Sequence, residues 1–176
     1  MMSWLAKLIF LRLMGWKLVG DFPTLNKFIV AVVPHTRNFD FIVGVLTRAV
    51  LNEEINYVGK KELFNPFTGW FFTAMGGAPI NRGTNENKVN AIADVFNKRN
   101  RFRLAIAPEG TRKRVERWRT GFYYIALKAN VPILLVNFNY QLKKVSFLKL
   151  FYPTGDIKKD LAVMEEYFDK AMQSKS

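Results

Sequence analysis

Apolar runs of strand length alternate along this chain with segments that have the periodicity of a helix. Residues 28–33 and 103–107 form largely apolar runs, each followed by a proline, and residues 131–140 form a third run. Runs of this length without polar alternation are typical of strands buried on both faces of a parallel sheet. The sequence therefore predicts an α/β fold with a largely parallel central β-sheet flanked by helices.

The intervening segments carry helical signals. Residues 39–51 are apolar and follow Asn38, a good N-cap residue, so we expect a helix there. Residues 85–98 place apolar side chains at i, i+3, i+4 and i+7, the spacing of an amphipathic helix. Further elements are expected as helices at 120–129 and 158–172, a short helix within 65–77, and strands at 55–58 and 78–81.

The length of 176 residues suits a single domain, because two ordinary domains would not fit. We predict an apolar N-terminal helix over residues 1–20 and one domain over residues 21–176. Three cations interrupt the first segment, so no apolar run within it is long enough to span a bilayer. It suits a helix lying in a membrane interface with Trp4 and Trp16 as anchors, or a helix packed on the domain's own core.

Charge and residue usage restrict the function. Lys and Arg number 27 against 14 Asp and Glu, which gives a net charge of +13 and predicts an anionic partner. Nucleic acid, acidic lipid and phosphorylated small molecules all fit that charge. The chain has no cysteine and one histidine, so disulfides, thiolate nucleophiles and a transition-metal site are not expected.

The single histidine, His35, follows the first predicted strand, and Asp40 stands five residues later. No serine lies near them, which argues against a serine hydrolase. A histidine without a serine or cysteine partner suits a general base that acts directly on a bound nucleophile. Within one helix the two side chains would point about 140° apart, but a strand, a turn and a first helical turn can bring them together.

Two further motifs follow predicted strands. The stretch "PEGTR", Pro108 to Arg112, offers backbone N–H groups and a guanidinium that can receive a phosphate. Glu109 could contact a substrate or brace the loop by accepting backbone N–H groups. The stretch "PINR" brings Arg82 to the end of an extended segment.

Taken together these blocks resemble those of the glycerolipid acyltransferases, a family that includes the lysophosphatidic acid acyltransferases, of the short bacterial type. The match comprises H-x4-D at His35 and Asp40, then "PINR", "PEGTR" and "VPI" in that order, within residues 28–138. The resemblance implies an acyltransferase domain that moves an acyl group from acyl-CoA or acyl-acyl carrier protein to the hydroxyl of a lysophospholipid. It implies no bound cofactor and no metal.

The resemblance also implies residue roles. His35 would deprotonate the acceptor hydroxyl and Asp40 would orient it. The acceptor phosphate would be bound by Arg82, Glu109, Gly110, Thr111 and Arg112. A membrane lipid acceptor, an acyl-CoA or acyl carrier protein and an anionic membrane surface are the implied partners, with the protein peripheral or monotopic on the cytoplasmic face of the inner membrane.

Arg37 departs from the family pattern, which often has serine two residues after the histidine. We expect Arg37 to favour an acceptor with an extra anionic group. The basic stretch 98–119 holds nine cations beside the expected phosphate site. The segment 65–76 is a candidate wall for an acyl-chain tunnel. Two other functions remain open: a basic nucleic-acid-binding module, for which no known motif is visible, and a catalytically inactive lipid-binding relative.

Overall fold

The computed structural model describes residues 2–35, 37, 39–80, 85–110 and 117–173. Asn38, Arg82, Thr111 and Arg112, to which the sequence assigns roles, lie outside these ranges.

Seven strands form one sheet in the order β1-β7-β6-β2-β5-β3-β4. The strands are β1 (Lys17–Val19), β2 (Lys27–Val33), β3 (Asn56–Lys60), β4 (Gly77–Ile80), β5 (Phe102–Ile106), β6 (Ile133–Asn139) and β7 (Lys144–Phe151). The strands β2 to β6 are mutually parallel, while β7 runs antiparallel to β6 and parallel to β1. The predicted single α/β domain with a largely parallel sheet is therefore confirmed.

Six helices accompany the sheet in the described residues. They are α1 (Met2–Lys7, continued by a π-helix, Leu8–Leu13), α2 (Asp40–Leu51), α3 (Gly69–Ala74), α4 (Asn85–Lys98), α5 (Gly121–Ala129) and α6 (Ile157–Gln173), with a short 3₁₀ turn at Lys61–Phe64. Two cores result. One packs α4, α5 and α6 on the sheet, and the other packs α1 and α2 on the opposite face.

Strand β2 shows why its sequence is apolar throughout. Ile29 and Ala31 point into the core beneath α4, α5 and α6, while Phe28 and Val30 point into the core beneath α1 and α2. Because both faces of the strand are covered, neither set of alternating positions can be polar.

The N-terminal helical segment extends less far than predicted, since it ends at Leu13 and not near residue 20. Gly15 adopts a positive φ of 71°, a conformation that stops a helix, and Lys17–Val19 then pair with β7. Trp16 is consequently buried, with 4% of its surface exposed, while Trp4 remains 71% exposed. Trp16 is therefore unavailable as the interfacial anchor that the sequence suggested.

Within the described ranges, no helix has the length and hydropathy needed to cross a bilayer.

Part of the basic stretch 98–119 lies away from the expected phosphate site. Arg101 and Arg103 both pair with Glu53, and Arg103 is only 1% exposed. The Nε of Arg103 also donates to the carbonyl of Leu25 at 2.8 Å. These residues stand where β5 begins, so the length of the strand separates them from "PEGTR", which follows the strand's end.

Candidate active site

The structure brings His35 and Asp40 together where β2 ends and α2 begins. The Nδ1 atom of His35 lies 3.1 Å from Oδ2 of Asp40. Asp40 is the first residue of α2, and the side chain of His35 keeps 30% of its surface exposed. An imidazole held through Nδ1 leaves Nε2 as the nitrogen that can accept a proton from a substrate.

Asp40 has two further donors. The backbone N–H of Arg37 donates to Oδ2 at 2.9 Å, and the hydroxyl of Tyr140 donates to Oδ1. A polar side chain that is only 3% exposed requires such partners, because burying it without hydrogen bonds is costly. Burial, and then the hydrogen bond to Asp40, raise the pKa of Tyr140 well above its usual value near 10, so its hydroxyl stays protonated and donates.

Sequence reasoning missed Tyr140. The residue directly follows β6, which is parallel to β2 and adjacent to it. The available signal was its position at the end of the predicted strand 131–140, since carboxyl ends of neighbouring parallel strands meet at one edge of the sheet.

Glu109 and Gly110 join the site from the end of β5. The Oε2 atom of Glu109 accepts the backbone N–H of His35 at 2.7 Å. Gly110 has a φ of 63°, and a Cβ there would lie 2.4 Å from Cδ of Arg119. A positive φ favours glycine here, and the close contact brings Arg119, a cation that the sequence did not single out, to this turn.

Arg37 faces the same cluster. Its guanidinium carbon lies 4.5 Å from the centre of the Tyr140 ring, a cation–π contact, and the residue is exposed to solvent. Nearby, the buried amide of Asn137 donates to the carbonyl of Val33 at 3.1 Å and fixes the strand end that carries His35.

A cavity of about 560 Å³ opens beside His35 and Asp40, between α2 and the sheet. Its volume is in the range of small-molecule sites. The walls are largely apolar and include Val30, Val32, Phe41, Val45, Ile55, Val58, Phe72, Met75, Ala105, Val136, Phe138 and Phe147. Phe72 and Met75 come from the segment 65–76, which the sequence suggests as a tunnel wall.

A second cavity of about 1070 Å³ lies on the opposite face, bordered by α4 and α5. Gly110 and the three cations Lys88, Arg119 and Lys128 line it. Val58, Ile106 and Ala107 border both cavities, so the two cavities lie close to each other beside β3 and the end of β5.

Comparison of the sequence with known protein families identifies the family of this chain. The sequence model of the Acyltransferase family matches residues 20–139, more than half of the chain. The chain belongs to the Acyltransferase family. The matched part of the chain contains His35, Asp40, the residues that follow β5 and the whole of β6.

Curated relatives carry a more specific name. The chain is 28% identical over 127 residues to the 1-acyl-sn-glycerol-3-phosphate acyltransferase of Escherichia coli strain K12. The aligned region covers 69% of this chain and 51% of that protein. The chain is 29% identical, with the same coverage, to the enzyme of that name from Salmonella typhimurium. The match therefore spans about half the length of these relatives.

A solved structure has the same fold. The crystal structure of the 1-acyl-sn-glycerophosphate (LPA) acyltransferase PlsC from Thermotoga maritima superposes with a TM-score of 0.68 and 18% identity. The match covers 97% of this chain and 76% of the Thermotoga protein. In the described part of the chain, no group of three His, Cys, Asp or Glu side chains could hold a metal ion.

Proposed function

We propose that this protein transfers a fatty acyl group from an acyl thioester to the hydroxyl of a lysophospholipid, with 1-acylglycerol 3-phosphate as the leading acceptor. The observation that carries this proposal is the His35–Asp40 pair at the side of an apolar cavity of about 560 Å³. The name of the curated relatives supports the choice of acceptor.

The proposed reaction needs one base and one acyl carrier. His35 Nε2 takes the proton of the acceptor hydroxyl while its oxygen attacks the thioester carbonyl carbon. Asp40 stabilises the imidazolium through Nδ1–H. The new C–O bond forms as the C–S bond breaks, and the departing thiolate takes the proton from His35 to leave as a thiol.

The acyl chain of the donor or acceptor fits the cavity between α2 and the sheet, because its wall is largely apolar. Thr47, Arg48 and Asn56 add polar groups to this lining. Thr47 lies two helical turns beyond Asp40 on the same face of α2, about 10 Å along its axis.

The acceptor phosphate is proposed to bind at the loop after β5, with Arg82, Glu109, Gly110, Thr111 and Arg112 as its ligands. Glu109 supports this position by holding the backbone of His35, and we add Arg119 as a neighbouring cation. The acyl donor is proposed to be acyl-CoA or an acyl-acyl carrier protein, both anionic and so suited to a net charge of +13.

A peripheral or monotopic position on a membrane, proposed to be the cytoplasmic face of the inner membrane, is supported by exposed apolar side chains. In α1 and its π-helical continuation, Trp4 and Leu13 are 71% and 75% exposed. Near α3, Phe67 and Trp70 are 87% and 71% exposed. Large aromatic side chains in such positions suit the headgroup region of a bilayer.

Local hydrogen bonds within residues 65–70 hold Phe67 and Trp70 in place. The Asn65 side-chain oxygen accepts the backbone N–H groups of Phe67 and Thr68 at 3.0 and 2.9 Å. The indole N–H of Trp70 donates to the Phe67 carbonyl at 3.1 Å. Because Phe72 of the same helix lines the cavity, lipid bound here would adjoin the proposed acyl site.

Flotation on vesicles of phosphatidylglycerol and phosphatidylethanolamine tests this surface. We expect the double change Phe67→Ser and Trp70→Ser to weaken binding by about tenfold or more. Tyr152→Ser is the matched control, since Tyr152 is also largely exposed, at 63%. It follows Phe151, which pairs with Ile133 at the start of β6, so it lies at the amino ends of the parallel strands, away from the proposed membrane surface. Equal flotation of the double variant and the control would contradict the surface.

The activity is tested on purified protein with 1-acylglycerol 3-phosphate and other lyso-lipids, each with acyl-CoA and with acyl-acyl carrier protein. We expect a diacyl product from at least one donor. No transfer to any acceptor would instead favour the inactive lipid-binding relative. Arg37→Ser tests acceptor selectivity: unchanged preference among acceptor headgroups would contradict the proposed role of Arg37.

A further inference from the structure

The two carboxylate oxygens of Asp40 have different partners. One contacts the predicted base, and the other contacts a tyrosine that is distant in the sequence. His35 Nδ1 and the Arg37 backbone N–H both contact Oδ2, at 3.1 and 2.9 Å. Oδ1 accepts the hydroxyl of Tyr140, 100 residues further along the chain. A carboxylate with a donor on each oxygen cannot rotate without breaking a hydrogen bond.

The ring of Tyr140 is itself held from two sides. The guanidinium of Arg37 lies over its face at 4.5 Å. Trp16 meets it edge-on, with ring centres 5.2 Å apart and an interplanar angle of 86°. Trp16 is buried and stacks on Phe10 at 5.5 Å, so packing fixes the position from which the hydroxyl donates.

We propose that Tyr140 is a positioning residue for acyl transfer, which holds Asp40 so that the carboxylate in turn holds His35 with Nε2 toward the substrate. This inference rests on the function proposed above. Arg37 contributes through its side chain, by holding the ring, as well as through its backbone N–H. Without the hydroxyl, Oδ1 loses its donor, the carboxylate turns, and the His35–Asp40 contact forms in a smaller fraction of molecules.

Tyr140→Phe tests the proposal because it removes one oxygen and keeps the ring between Arg37 and Trp16. We expect kcat to fall on the order of 10- to 100-fold while KM changes by less than about twofold, since the variant misplaces the base and leaves the substrate contacts in place. Tyr123→Phe is the matched control. It removes a tyrosine hydroxyl from another buried aspartate, Asp160, and should leave kcat unchanged.

A second readout does not depend on turnover. His35 is the only histidine in the chain, so its imidazole signals in a nitrogen-15 spectrum belong to one residue. We expect the Nδ1–H proton, held by Asp40, to move upfield and exchange faster with water in Tyr140→Phe. Tyr123→Phe should leave this signal in place. A purely structural role for Tyr140 would lower stability without moving the His35 signal.

The outcomes separate the two proposals. A Tyr140→Phe protein with wild-type kcat and an unmoved Nδ1–H signal overturns the positioning role. If wild type has no acyl transfer, the proposed function fails, and the His35 signal still decides whether Tyr140 positions the pair. If Tyr140→Phe does not fold, Arg37→Leu replaces it, because Arg37 is exposed. We expect Arg37→Leu to shift the His35 signal by a smaller amount, and the absence of any shift would overturn the proposal.

Discussion

Asp40 and Asp160 are two buried aspartates with nearly the same surroundings. Each is 3% exposed and accepts a tyrosine hydroxyl, from Tyr140 and Tyr123 respectively. Each also accepts a backbone N–H, from Arg37 at Oδ2 of Asp40 and from Thr154 at Oδ2 of Asp160.

The third donor distinguishes them. Asp40 holds the imidazole of His35 and lines the cavity of about 560 Å³, whereas Asp160 accepts the hydroxyl of Thr154 at 2.8 Å and ties the loop before α6 to α5. An imidazole can take a proton near neutral pH and a threonine hydroxyl cannot. We therefore propose that a similarly buried carboxylate supports acyl transfer at Asp40 and stabilises the fold at Asp160.

Among changes that separate the two aspartates, Asp40→Asn is expected to have the largest effect. The amide cannot stabilise an imidazolium and favours the wrong tautomer of His35, so kcat should fall by roughly 10³- to 10⁴-fold. Initial rates with 1-acylglycerol 3-phosphate measure this, and urea unfolding shows whether the fold persists. Asp40→Asn with more than a third of wild-type kcat would remove the distinction between the two aspartates.

Asp160→Asn should have the opposite profile. The amide replaces an oxygen that accepts hydrogen bonds with a donor. This leaves the buried hydroxyl of Tyr123, or a donor of Thr154, without its partner, at a cost of about 2 kcal/mol in the free energy of unfolding. The melting temperature should fall by about 4–8 °C. Activity per folded molecule should stay at the wild-type level, and a loss comparable to that of Asp40→Asn would contradict the comparison.

The cavity beside Asp40 can be filled at Gly44. A Cβ at Gly44 meets nothing within 4 Å, and the residue lines the cavity from α2. Gly44→Leu should lower kcat/KM for the longest acyl chain on the order of tenfold and favour shorter chains. Gly121→Leu, equally open but lining the cavity on the other face, is the control, and the same change in chain preference there would contradict the assignment.

The smallest effect concerns pH. Burial, followed by the hydrogen bond to Asp160, raises the pKa of Tyr123 to about 12. Because the folded-state value exceeds the unfolded value near 10, this stabilisation is complete below about pH 10 and is lost as pH rises toward 12. Urea unfolding from about pH 9 to about pH 11 should show a steeper decline for wild type than for Tyr123→Phe. Equal slopes would contradict the raised value.

The contact between His35 and Asp40 could be predicted because a strand end, a turn and a helix start are local features of the sequence. Tyr140 could not, since its contact depends on β6 lying beside β2, and hydrophobic periodicity does not specify strand order. The roles of Arg82, Thr111 and Arg112 stay predictions, because these residues lie outside the described ranges.

Two fold features were missed for different reasons. Strand β7 was not predicted, although its residues alternate, with Val145 and Phe147 buried. The interfacial interpretation of Trp16 was wrong because Gly15 turns the chain and β1 pairs with β7, which no helical pattern predicts.

The most direct test of the proposed chemistry is the rate of acyl transfer by His35→Ala beside wild type, at saturating donor and 1-acylglycerol 3-phosphate. Because His35 supplies the proposed base, we expect the rate to fall by about 10²- to 10⁴-fold. The free energy of unfolding and the binding to vesicles should stay unchanged. Equal acyl transfer by the variant and wild type would contradict the assignment of His35 as the general base.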